Sequence, residues 1–336
     1  MRRYIIILLA VLLLMANASA QEIKLSELTL KEKVGQMIIV KGNEYDQRLA
    51  ELGIGGIFLN NLKIEEEYKE TIEKYQKNSE IKLLVATDME GYWNPFPFFQ
   101  SKTFGEISNK EEAYKLGKAH GQILRKLGFN LNFSPIVETQ NKVWPGRSFT
   151  GTNKEIKEKI SSYIKGLQEQ KILPTAKHYP GGSMISDPHK FKVRAKISQE
   201  EFDYFDYAIK ENVSVVMIGH AIVSGAVDSE GKQSTVSPKI IAELRQSFNG
   251  LIITDAISMW GLRISYIFNT NQMYVDAVKA GNDIILDTYS FSYTYKRAEK
   301  IINAITGAVE NGEIPEKQID ESVTRILEAK GYKVIP

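Results

Sequence analysis

Leu251-Ile252-Ile253-Thr254-Asp255-Ala256 is a run of apolar and β-branched residues that ends abruptly in a carboxylate. Every position of the run suits burial, so it reads as a parallel strand covered on both faces rather than the alternating strand of a half-solvated sheet. Seven further runs of the same kind stand at 36–40, 56–59, 83–87, 131–134, 174–177, 214–218 and 283–286, which with 251–254 makes eight. Between them lie polar segments with helical spacing at 63–79, 111–127, 154–170, 200–211, 238–248 and 270–280, and a longer helical stretch follows at 295–330. Eight strand–helix units predict an α/β fold, a (β/α)8 TIM-type barrel; an open doubly wound sheet is the alternative, but no GxGxxG phosphate loop opens a helix.

In a closed barrel the C-terminal strand ends converge on one face, and polar residues placed there form a site. Asp88 follows the third run, His178 the fifth, His220 the sixth, Asp255 the seventh and Asp287 the eighth. A carboxylate at the end of a buried strand costs free energy unless it has partners or a task. Asp255 therefore reads either as a reacting carboxylate or as a cap for the turn that follows. After the fifth strand, Lys177-His178-Tyr179-Pro180-Gly181-Gly182 leads to Asp187-Pro188-His189. Local folding can bring Asp187 against His189, orienting the imidazole for proton transfer; the alternative is an ordinary polar surface loop.

The first twenty residues have the form of an address. Arg2 and Arg3 precede an apolar run over residues 4–16, and Ala18-Ser19-Ala20 makes a small-x-small cleavage site. The run is shorter than the roughly 20 residues of a membrane span, so a cleaved signal over 1–20 is expected, followed by one barrel domain over 21–336. The expected localisation is export, to the periplasm or the medium, with no stable membrane insertion after cleavage. The leader holds two arginines and no acidic side chain, leaving 41 basic against 41 acidic residues in the remainder. That balance gives no electrostatic case for nucleic acid. There is no cysteine, which excludes disulfides and thiolate chemistry, and the four histidines are too scattered for a metal motif.

Taken together these residues resemble glycoside hydrolase family 3, specifically its single-domain β-N-acetylhexosaminidase branch. The similarity runs from Leu30-Lys31-Glu32-Lys33-Val34-Gly35-Gln36-Met37, through Gly55-Gly56-Ile57 and Asn132-Phe133-Ser134-Pro135, to Ala280-Gly281-Asn282-Asp283. The resemblance implies a retaining glycosidase without cofactor or metal, acting on terminal β-linked N-acetylglucosamine in glycans or peptidoglycan fragments. No protein partner is implied. It makes Asp255, in Thr254-Asp255-Ala256-Ile257-Ser258-Met259, the nucleophile, His189 the acid/base and Asp187 its partner. Asp88, Arg147, Lys177 and His178 become sugar-binding groups.

The chain departs from that pattern in three places. Glu90-Gly91-Tyr92-Trp93 lacks the second glycine and arginines expected after Asp88; Gly181-Gly182-Ser183 stands where GHG is expected, in a loop one residue shorter; and Pro188 replaces a small residue between Asp187 and His189. Three other readings stay open. They are a β-glucosidase of the same family, a glycan-binding member with impaired turnover, and a Schiff-base lyase using Lys177. Trp93, Phe96, Phe98 and Phe99 read either as a sugar-stacking subsite or as packing of the barrel rim.

Overall fold

The computed structural model describes residues 21–289 and 293–336, and the leader expected over 1–20 lies outside them. The eight runs form eight parallel strands: β1 Ile38–Lys41, β2 Gly56–Phe58, β3 Leu84–Thr87, β4 Leu131–Asn132, β5 Leu173–Tyr179, β6 Val215–Ile218, β7 Leu251–Thr254 and β8 Ile285–Asp287. They are hydrogen-bonded side by side in the order β7-β6-β5-β4-β3-β2-β1-β8. The ring is closed between β7 and β8 by a parallel bridge from Ile253 to Ile284 and by the Thr254 N–H donating to the Ile284 carbonyl at 3.0 Å. The architecture is the α/β barrel, not the open sheet.

Asp283 fastens that closing seam. Its carboxylate, fully buried, accepts from the Ile252 N–H at 2.8 Å, from Ser322 Oγ at 3.0 Å and from the Arg325 fork at 2.9 and 3.0 Å, and also binds Arg245. A buried charge with this many donors is held rather than penalised. The outer helices carry buried stripes at three- and four-residue spacing, as in Lys110–Leu127, where Ala113, Leu116, His120, Ile123, Leu124 and Leu127 face inward. The expected long helix at 295–330 is two, Thr294–Glu310 and Glu316–Ala329. Gly312 at φ +74° and Pro315 break it, the first taking a left-handed turn and the second unable to continue a helical hydrogen-bond ladder.

Two short parallel ladders lie outside the barrel. Glu22–Lys24 pairs with Lys333–Ile335, tying the two ends of the described chain together. Arg194–Ile197 pairs with Ile222–Gly225, which returns the long loop after β5 to the segment leaving β6. Among the described residues no helix is long and apolar enough to cross a membrane.

Candidate active site

A cavity of about 560 Å³ opens at the C-terminal ends of the strands, and its lining includes Asp88, Arg147, Lys177, His178, His189 and Asp255. Asp255 follows β7 and is only 6% exposed. Its Oδ1 accepts from the adjacent Ala256 N–H at 2.7 Å, and the next helix begins only at Trp260, so the carboxylate caps no helix. Burial would push this carboxyl up. The nearby His178 and His220 and the Ala256 N–H reverse that and hold it below its ordinary value, so it is an anion at neutral pH.

His178 approaches Asp255 from the side, with Nε2 3.9 Å from Oδ2. Its orientation is set by a residue the sequence did not single out. Glu138, buried beyond β4, accepts from the His178 backbone N–H at 3.0 Å, from the His178 ring Nδ1 at 2.6 Å and from the Ser183 N–H at 2.7 Å. The carboxylate requires the proton on Nδ1, so Nε2 is turned to Asp255. One side chain thereby holds the imidazole and the start of the loop that replaces the expected GHG turn.

A second buried cluster lies beside it. Glu90, fully buried, is gripped by the Arg147 fork at 2.8 Å through both Nε and Nη2 and by Lys177 Nζ at 2.5 Å, while Lys177 also reaches Asp88 Oδ1 at 2.6 Å. Burial would raise the Glu90 carboxyl, but the two cations drive it down to about 2. Burial likewise pulls the Lys177 ammonium down, and Asp88 and Glu90 more than restore it. Locked as an anion, Glu90 is unsuited to donate a proton to a leaving group. Asp88, with about a third of its side chain exposed, presents the more accessible carboxylate of this cluster.

Asp187 and His189 meet in a tight turn. Asp187 Oδ1 accepts from the His189 N–H at 3.0 Å and from ring Nδ1 at 2.9 Å, and its carbonyl accepts from the N–H groups of Lys190 and Phe191. Burial raises the Asp187 carboxyl, and the bonds from His189 outweigh it and hold it low. The His189 ring is more than half exposed at the cavity mouth, edge-on to Trp144 with centroids 6.3 Å apart.

Not every strand-end residue belongs to the cavity wall. His220 is buried against Thr235 and the Ala256 carbonyl, and Asp287 is taken by Arg297. Of the aromatic cluster, Phe96 and Phe98 pack on Tyr68, while Phe99 sits near His120. Trp93 lines the cavity and is 48% exposed. Packing accounts for Phe96 and Phe98, while Trp93 faces the cavity.

Residues 29–329 match the model of the glycosyl hydrolase family 3 N-terminal domain. A β-N-acetylglucosaminidase/β-glucosidase of Cellulomonas fimi is 24% identical, over 91% of this chain and 58% of its own length. A β-hexosaminidase of Idiomarina loihiensis is 26% identical over 74% of this chain and 82% of its own. The solved structure of a family 3 β-N-acetylglucosaminidase from Paenibacillus sp. str. FPU-7 superposes with a TM-score of 0.80 at 28% identity, covering 90% of this chain and 62% of that one. This chain thus spans about three-fifths of the length of the first and last of these relatives. With a match across nearly all of its described residues, the chain belongs to glycosyl hydrolase family 3, through that family's N-terminal domain.

Proposed function

We propose that the chain is an exported retaining β-N-acetylhexosaminidase that removes terminal β-linked N-acetylglucosamine from glycans or peptidoglycan fragments. The observation that carries this reading is the pairing, in one cavity, of a buried anionic carboxylate, Asp255, with an exposed imidazole oriented by a carboxylate, His189 on Asp187. Asp255 attacks the anomeric carbon while the bond to the leaving oxygen breaks, and that oxygen takes a proton from His189 Nε2, the ring atom not engaged by Asp187. The neutral imidazole then takes a proton from water, whose oxygen displaces Asp255 and restores the β configuration. Asp88, Arg147, Lys177 and His178 hold the sugar, and Glu90 keeps the two cations in place. A cationic Lys177 opposes the imine reading, since a Schiff base needs the free amine. Export rests on the leader, and intact Met1 on native protein from the cytosol would overturn it.

A panel of nitrophenyl glycosides tests the substrate. The β-N-acetylglucosaminide is expected to turn over at least about tenfold faster than the β-glucoside, a modest margin of roughly 1.4 kcal/mol. The reverse ranking makes the protein a β-glucosidase, a reading favoured by the double name of the Cellulomonas fimi relative. Binding without turnover makes it a glycan-binding member.

The proton donor has its own signature. His189→Ala should slow substrates with poor leaving groups by about 100-fold or more and dinitrophenyl substrates only slightly, because only the former need a protonated leaving oxygen. Asp187→Ala should repeat the pattern more mildly. Equal losses on both substrate types would assign the role elsewhere.

A further inference from the structure

The chain has three tryptophans, Trp93, Trp144 and Trp260, and all three line the one cavity that holds Asp255 and His189. Two of them belong to segments that meet the proton donor or the turn that carries it. Trp260 opens the short helix Trp260–Arg263 just beyond the nucleophile segment, and it is bound to the His189 turn at its base, where the Gly261 N–H donates to the Pro188 carbonyl at 2.9 Å. A Cβ at Gly261 would lie 2.5 Å from the Phe191 carbonyl oxygen and 2.6 Å from that of Pro188, so only glycine lets the two segments approach this closely. Trp144 lies against the donor itself, its plane perpendicular to the His189 ring, with the Arg147 guanidinium 5.0 Å over its own ring. Trp260 remains 43% exposed in the lining of the cavity, a large apolar ring left unburied.

On the reading proposed above, the leaving oxygen must come within hydrogen-bond reach of His189 to be protonated. Whatever that oxygen carries then lies in the cavity that Trp144 and Trp260 line together with His189. We propose that Trp260 is the floor, and Trp144 the wall, of a leaving-group subsite that takes the apolar face of a second pyranose ring. A pyranose presents a row of C–H groups on one face and hydroxyls at its rim, which suits a rigid, flat indole beside polar groups. The cavity, at about 560 Å³, is of the size that holds ligands larger than one ring. The preferred substrate is accordingly an oligosaccharide, and a leaving group without a ring forfeits the contact.

The test compares Trp260→Ala with wild type on three substrates: N,N′-diacetylchitobiose, which carries a second pyranose; the β-fluoride of N-acetylglucosamine, whose leaving group is too small to reach the indole; and an octyl N-acetyl-β-glucosaminide. The disaccharide should lose about tenfold in kcat/KM, chiefly through KM, the fluoride should change less than twofold, and Trp260→Phe should recover most of the loss. Equal losses on disaccharide and fluoride, or no loss on either, overturn the subsite. A loss larger for the octyl glycoside than for the disaccharide overturns the sugar as occupant in favour of an alkyl chain. Wild-type protein inert on all three overturns the glycosidase reading itself, and the subsite with it.

Discussion

Asp255→Ala is expected to lower kcat/KM by about ten-thousand-fold, or roughly 5–6 kcal/mol of barrier, while leaving the fold intact. The loss is large because the carboxylate is asked to form the bond that replaces the leaving group. The fold survives because the hydrogen bond this side chain accepts is a local one, from the neighbouring Ala256 N–H, so truncation removes that contact and the attraction of His178 and His220 but no bond that ties distant segments together. Azide should partly restore turnover of a dinitrophenyl substrate by entering the space the carboxylate vacated and giving the α-glycosyl azide. Near-normal turnover in Asp255→Ala would remove this residue from the reaction.

Glu90→Gln is expected to cost about 3 kcal/mol of stability at neutral pH, because it leaves Arg147 and Lys177 buried without the carboxylate that pairs with both. The same cluster sets a pH dependence. The Glu90 carboxyl is held at about 2 in the folded chain against an ordinary value of 4.5. A lowered carboxyl contributes stability that is fully present above about pH 4.5 and drains away as pH falls through 4.5 toward 2. The wild type should therefore lose stability across that window more steeply than Glu90→Gln, and the two should converge at its acid end, as read from thermal melts at a series of pH values. Parallel curves would show that Glu90 is not the anchoring anion. On the proposed reading, in which Lys177 and Arg147 hold the sugar, catalysis should fall as well, since neither would be kept in place.

Much of the frame was legible because buried parallel strands leave a plain mark. The run at 251–254 is a strand to the residue, Asp255 does stand at its end facing the cavity, and each of the other seven runs yields a strand within a few residues of its expected bounds. Lys177 and His178 were visible for the same reason, as polar residues closing a buried run. Glu138 and the anchoring role of Glu90 were not. Each sits in a short irregular segment whose composition is that of any loop, and its meaning comes from partners 40 and 57 residues away, His178 and Arg147, which only the closed barrel brings near. Ser183, where the second glycine of GHG is expected, uses its N–H to meet Glu138, a backbone contact that no side-chain pattern announces. The ladder between Arg194–Ile197 and Ile222–Gly225 was missed because Arg194 and Lys196 interrupt the apolar signal of a strand at the rim.

The most direct test of the central claim, that Asp255 is the nucleophile of a retaining glycosidase, is peptide mass spectrometry after inactivation with a fluorinated glycosyl inhibitor that slows release of the glycosyl-enzyme. The account predicts one added glycosyl group, on the peptide carrying Thr254-Asp255-Ala256 and on the aspartate itself, with no label in Asp255→Ala. A glycosyl group found on Asp88, Glu90 or Glu138, with turnover intact in Asp255→Ala, would contradict it.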